Sequence, residues 1–228
     1  MGKITILPET TKDPISLIGR RAGICWGADI TDEQRNYKRG LDCIESNHGR
    51  TLEFPDIHMV IDGYSAKCLR EYYTHIGCLP TRLQASTRYI DYSKGNGFEY
   101  VTPHTIQKNE KANEEWQSLM KDINSLISRF INEYEIPTED ATMALPLTYC
   151  SKMVDKRNLR NLIDMSRQRM CSRAYWEFRE MFNDIITALK EYSPEWEYLI
   201  NTQMKPKCEL LGYCPEKRSC GRKPKKNA

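Results

Sequence analysis

Two clusters hold the residue types that could do chemistry. In "PTRLQASTRY" (80–89), Arg82, Ser86 and Arg88 place two guanidinium forks and a hydroxyl within seven residues. That set suits a phosphate monoester, which is met best by planar bidentate donors. In "NLRNLIDMSRQR" (158–169), Asn158, Arg160 and Arg169 are interleaved with Leu159, Leu162, Ile163 and Met165. On composition alone both clusters read as solvated faces ahead of ligand sites. Ser86 has no His–Asp pair and no GxSxG elbow to activate it. Cys78 would need a cationic neighbour such as His75 to become a nucleophile, and an inert thiol is the simpler reading.

Other chemistries find less support. There is no GxxxxGK[ST], and "GNGFEY" lacks the third glycine and the following helix of a dinucleotide fingerprint. The histidines (48, 58, 75, 104) are scattered and no HExxH occurs, so no metal is expected. Cys208, Cys214 and Cys220 recur with five residues between neighbours, whereas structural zinc sites favour two to four and a fourth ligand. The nine cysteines are odd in number and without CxxC, which predicts free thiols and a cytoplasmic setting.

Elements must position these residues, and 228 residues with 39% hydrophobic content suffice for a core. Lys+Arg 34 against Asp+Glu 31 leaves +3, so the overall charge gives no reason to expect nucleic acid. No apolar run approaches the roughly 20 residues of a membrane span, and the N-terminus has no signal-peptide pattern. Strands are expected at 3–7, 56–63 and 98–103, the last bounded by the "SKGNG" turn and Pro103. Helices are expected at 31–46 with Thr31 as cap, at 65–76 with Ser65 as cap, at 110–134, and at 167–192 with Met170, Ala174, Phe178, Met181, Ile185 and Ala188 as a buried stripe. Ser193-Pro194 should start another helical turn. The result is one α+β domain over 1–205, with long helices on a mixed or antiparallel sheet. A Cys- and Lys-rich, loosely attached tail occupies 206–228.

Four segments together resemble one family. "STRYIDY" (86–92), "EDATMALPL" (139–147), "NLRNLIDMSRQR" (158–169) and "CSRAYWEFREM" (171–181) stand in the order and near the spacing of the flavin-dependent thymidylate synthases. The resemblance implies that family's α+β fold and a homotetramer with active sites shared between subunits. It implies reductive methylation of dUMP at C5, with 5,10-methylenetetrahydrofolate as carbon donor, FAD as hydride carrier and NADPH as reductant. Two other readings stay open: a related flavin enzyme that transfers a different one-carbon group, such as hydroxymethyl, and a binding module that kept the fold but lost catalysis.

By the same resemblance, Arg169 matches the arginine that polarises the pyrimidine, and Arg70, Tyr73, Gln84, Ser86 and Arg88 match dUMP-facing positions. His48, Arg50 and Thr51 in "NHGRTLEF" (47–54), with His75, Asn158, Arg160 and Asp164, match the flavin side. The family's Arg-His-Arg opening is replaced by "THIGCLPTRLQ", its following Glu by Gln84, and the arginine of its Leu-Pro-Leu segment by Thr142. Arg82 has no counterpart and is expected to stand in for the missing cation.

Overall fold

A computed structural model of the chain describes residues 2–226. In chain order these form β1 (Lys3–Ile6), α1 (Pro14–Cys25), α2 (Glu33–Glu45), β2 (Asp56–Ser65), α3 (Ala66–Tyr73), β3 (Thr81–Gln84), α4 (His104–Gln107), α5 (Glu110–Asn132), α6 (Thr138–Ala141), β4 (Cys150–Asn158), α7 (Leu159–Arg169), α8 (Trp176–Tyr192), α9 (Pro194–Gln203) and α10 (Lys207–Leu211). The strands make one sheet in the order β1-β2-β4-β3. Past β1, Leu7 N–H donates to His58 O and Thr11 N–H to Asp56 O, so the two chain segments run in opposite directions. The α+β class expected from the sequence is the observed one.

The chain divides into two compact units, one of residues 61–70 and 83–153 with the extreme N-terminus, the other of 4–60, 71–82 and the chain from 154 onward. In the first unit α5 begins where Asn109 accepts the Ala112 N–H, and it buries Met120 and Ile127 against Phe98. Gly97, at φ +78°, is required there: a β-carbon would stand 2.1 Å from Asn124 Oδ1, the atom that accepts the Phe98 N–H. The strand expected at 98–103 reduces to one bridge, Tyr100 with Tyr149. Phe98 turns into the α5 face and the Tyr100 hydroxyl donates to Gln117, while Val101 N–H to Thr148 O and Cys150 N–H to Glu99 O limit the pairing to a short antiparallel stretch at the start of β4.

In the second unit α1 and α2 cross in close contact through two glycines. A β-carbon on Gly19 would stand 1.7 Å from Asn36 O, and one on Gly40 would stand 2.0 Å from Ile15 O. The cap of α2 is Asp32, whose carboxylate accepts the Arg35 N–H, while Thr31 is held by Asp29. The expected helix 167–192 is in fact two: α7 ends at Arg169, Ala174 N–H turns back to Cys171 O, and α8 starts at Trp176. Phe178, Met181 and Ile185 of the expected stripe are fully buried, joined by Phe182 and Leu189. Ser193 caps α9 by accepting the Trp196 N–H, as its position before Pro194 predicts.

Candidate active site

The site is built on β4, whose inward positions are unusual for a buried strand face: Ser151, Met153, Asp155 and Arg157. Asp155 and Arg157 are wholly buried and form a bidentate pair, Nε to Oδ2 at 2.6 Å and Nη2 to Oδ1 at 2.9 Å. The Arg157 guanidinium also lies 4.0 Å over the Tyr72 ring, and the Tyr72 hydroxyl donates to Asp155 at 3.0 Å. Burial pushes that phenol well above its ordinary pKa, so it stays a donor. A charge this deep survives only because every side of it is met.

Its remaining fork reaches α7. Arg157 Nη1 donates to Asn161 Oδ1 (2.6 Å), and Asn161 Nδ2 donates to Gly77 O (2.6 Å). The buried pair therefore pins the segment between α3 and β3, which contains two consecutive residues in the left-handed region, Cys78 (φ 57°) and Leu79 (φ 49°). Such backbone costs roughly 1–2 kcal/mol per residue and persists where surroundings impose it.

On this pinned segment sits His75, and at the last turn of α7 sits Arg169. Arg169 Nε donates to His75 Nε2 at 2.7 Å, and its Nη2 lies 3.3 Å from Thr74 Oγ1 and 3.6 Å from a Glu71 carboxylate oxygen. The Arg169 guanidinium caps the Phe178 ring at 4.5 Å, and its side chain is only 18% exposed. Because His75 Nε2 accepts, the imidazole is neutral with its proton on Nδ1. Desolvation, then Arg169, Arg157 and Arg82, depress its pKa from 6.5 to about 4. Arg82 stacks 4.2 Å over the Tyr73 ring and keeps one buried guanidinium nitrogen, Nη1, without a hydrogen-bond partner. The unit thus gathers Tyr73, His75, Arg82 and Arg169 into a cationic, aromatic cluster with an unmet donor.

A second depression in the same unit, ≈ 330 Å³, is lined by Gly49, Arg50, Arg160, Asp164 and Arg167 with their neighbours. Arg160 is anchored to Glu53 at 2.6 Å, Arg167 to Asp164 at 3.1 Å, and Arg167 Nε is buried without a partner. Of the expected flavin-side residues, Arg50, Arg160 and Asp164 meet here. Thr51 closes its own turn by donating to His48 O, His48 is exposed, and His75 stands instead with Arg169. Asn158 is buried, and its Oδ1 caps α7 by accepting the Asn161 N–H.

The other unit holds Gln84, Ser86 and Arg88. Gln84 Nε2 donates to Ser151 Oγ (3.0 Å), Ser86 Oγ accepts the Arg88 N–H (3.2 Å), and Arg88 Nε pairs with Glu139 (2.7 Å). Thr142, at the position where an arginine was expected, is buried, and its hydroxyl lies 3.0 Å from Thr87 O, within the Ser86–Arg88 turn. Arg70, at the end of α3, is exposed. Neither the Tyr72–Asp155–Arg157–Asn161 network nor Glu139 as the partner of Arg88 is expected from the sequence. The signal available for the network was the period-two run in "SKMVDKRN" (151–158), masked because its inward positions are mostly polar.

Residues 6–195 match the Thy1 family, described as "Thymidylate synthase complementing protein". A flavin-dependent thymidylate synthase of Nitratidesulfovibrio vulgaris is 29% identical over 235 residues, covering 94% of this chain and 92% of the relative. One from Pyrococcus horikoshii is 33% identical over 174 residues, covering 75% and 69%. Helicobacter pylori thymidylate synthase X, solved with FAD and dUMP, superposes with a TM-score of 0.65 at 19% identity, over 87% of this chain and 98% of that one. Fold, motif order and near full-length similarity agree, and the chain belongs to the Thy1 family of flavin-dependent thymidylate synthases.

Proposed function

We propose that this chain is an FAD-dependent thymidylate synthase, methylating dUMP at C5 to give dTMP, with methylenetetrahydrofolate as carbon donor and NADPH as reductant. The observation that carries this reading is the Arg169 cluster. A guanidinium fixed by His75, Thr74, Glu71 and Phe178 needs no reorganisation to meet negative charge developing on a pyrimidine ring. With that charge stabilised at N3 and O2, C5 becomes the nucleophile toward the donor's one-carbon unit, and the C5 proton is later released. FAD, when bound, supplies the hydride, so no enzyme thiol or hydroxyl need attack the ring.

The residues present suit both ligands. Arg50, Arg160 and Arg167 around the ≈ 330 Å³ depression are the donor set of a diphosphate, and the unpartnered Arg167 Nε has capacity for it. Asp164 and the Gly49 backbone would complete the flavin's hold, with His48, Thr51 and Asn158 ordering the segments around it. For dUMP, Arg169 would face the ring. In the same unit Arg82, stacked on Tyr73, is the candidate phosphate contact; in the other unit the candidates toward dUMP are Ser86 and Arg88, with Gln84 and Arg70. The orphaned Arg82 nitrogen supports Arg82 as the replacement for the cation lost at Thr142.

The homotetramer with shared sites is part of the same proposal. Leu83, Tyr89 and Met143 in one unit and Leu79 in the other are at least 73% exposed, which suits surfaces covered by further copies. Nine free thiols suit a reducing, cytoplasmic setting. No helix among the described residues is long and apolar enough to cross a membrane. The test is spectroscopic: protein reconstituted with FAD should be yellow and bleach on NADPH addition under anaerobic conditions. A colourless protein that cannot take up FAD would contradict the reading and favour a non-catalytic binding module.

A further inference from the structure

The C-terminal segment does more than trail from the fold. Arg173 Nη1 donates to Arg218 O (2.8 Å), Arg222 Nη1 to Met170 O (3.2 Å), and Cys214 pairs with Lys225 as a short bridge. Together with the last turn of α7 and the residues after it, the segment borders a half-open cavity of ≈ 540 Å³. Its charged walls are Arg167, Arg169, Arg173, Lys207 and Lys223, against a single carboxylate, Glu216. Arg167 and Arg169 have carboxylate neighbours, Asp164 and Glu71. Arg173, Lys207 and Lys223 have none among the described residues, so the cavity carries uncompensated positive charge. Four thiols complete the wall: Cys171, Cys208, Cys214 and Cys220.

Two facts constrain the occupant. Several unpaired cations around one half-open cavity call for a ligand with several anionic groups, since a single carboxylate or halide would leave most of them unmet. Arg169 is shared between this cavity and the cluster proposed to act on the pyrimidine, so the occupant reaches from the reaction centre toward the C-terminal segment. We propose that the cavity receives the polyanionic arm of a co-substrate, the arm running outward past Arg169 to Arg173, Lys207 and Lys223. Two co-substrates of the proposed reaction have such an arm: the glutamate carboxylates of the pteridine donor and the phosphates of the reduced dinucleotide. The inference rests on the thymidylate synthase reading for the identity of those co-substrates.

The test uses the FAD-loaded full chain with Lys207→Glu, Lys223→Glu and the double variant, and Lys121→Glu on the exposed face of α5 as a charge-matched control. KM is measured separately for dUMP, NADPH, and the folate donor with one and with three glutamates. For the double variant we expect a rise of about tenfold in KM for one co-substrate, kcat and the dUMP KM unchanged, and the difference shrinking in high salt. A rise for the triglutamate donor exceeding that for the monoglutamate assigns the folate tail; a rise for NADPH assigns the dinucleotide. A shift in the dUMP KM alone overturns the proposal, because the cavity would then belong to the nucleotide.

A second readout needs no turnover. Cys220 is exposed on the cavity wall, and hydrogen bonds from Ser172 and the Arg222 backbone hold its thiol below the ordinary pKa, which favours alkylation. Triglutamyl folate or NADPH should slow iodoacetamide labelling of Cys220, read by mass spectrometry, and the double variant should lose that protection. If the chain proves not to make thymidylate, this labelling still decides the occupancy. Unprotected labelling together with unmoved co-substrate KM values would overturn the inference.

Discussion

The proposed chemistry rests on Arg169, and its surroundings define what each neighbour should do when changed. Arg169→Ala should abolish turnover while flavin stays bound, because the contacts assigned to FAD come from Arg50, Arg160 and Arg167. Arg160→Ala should instead lose flavin, visible as a fall in the FAD-to-protein absorbance ratio. Wild-type turnover in Arg169→Ala would remove its assigned role. Arg82→Ala should weaken dUMP binding by about 1.5–3 kcal/mol, roughly 10- to 150-fold, the scale of a lost charge-assisted bond. Arg129→Ala, on the exposed face of α5, should leave dUMP affinity unchanged, and equal affinities in the two variants would discard Arg82 as a phosphate contact.

His75 adds a pH signature. Its folded pKa, about 4, lies below its ordinary 6.5, so the unfolded chain binds more protons across that interval. Stability contributed by neutral His75 is therefore complete above about pH 6.5 and is lost as pH falls toward 4. His75→Gln should flatten that part of the stability–pH curve, measured by urea unfolding at stepped pH. An unchanged slope would place the titration elsewhere. At this scale the sequence was informative about residue identity and blind to residue partners. Arg169, Arg82 and His75 were all singled out, but that His75 orients Arg169, rather than standing among the flavin-side residues, follows from a contact across 94 positions that no local spacing shows.

Among the elements, the helices with apolar faces were the legible ones. α5 and the buried stripe of α8 follow directly from three- and four-residue spacing, and Ser193-Pro194 marks the start of α9. β4 was missed for a physical reason: its inward side chains are Ser151, Asp155 and Arg157 with one methionine, so the strand has period-two burial without period-two hydrophobicity. α1 was also absent from the expected elements, although Pro14 at its first turn and the Ile15, Ile18, Ala22 spacing carry the usual signals. The element that matters most to the site is β4, since its buried pair holds α7 and the loop bearing His75 in register. Asp155→Asn leaves the Arg157 charge fully buried without its counter-ion and should cost about 3–5 kcal/mol, measured as a lowered urea midpoint. A loss under 1 kcal/mol would mean that the pair does not carry this segment.

For the whole molecule, family membership and fold point to one reaction, and each of the two units holds part of the residue set proposed for it. The α+β class and the order of the four motifs were readable because both depend on local pattern and sequence order. The folding-back of the C-terminal segment was not, because its Pro, Gly, Cys and Lys content is what a loose terminus also shows. The most direct test is tritium release from [5-³H]dUMP by the purified chain with FAD, NADPH and methylenetetrahydrofolate, followed by chromatography of the nucleotide. Tritium appearing in water with dTMP as the product is the predicted result; no release above background, or hydroxymethyl-dUMP in place of dTMP, would contradict it.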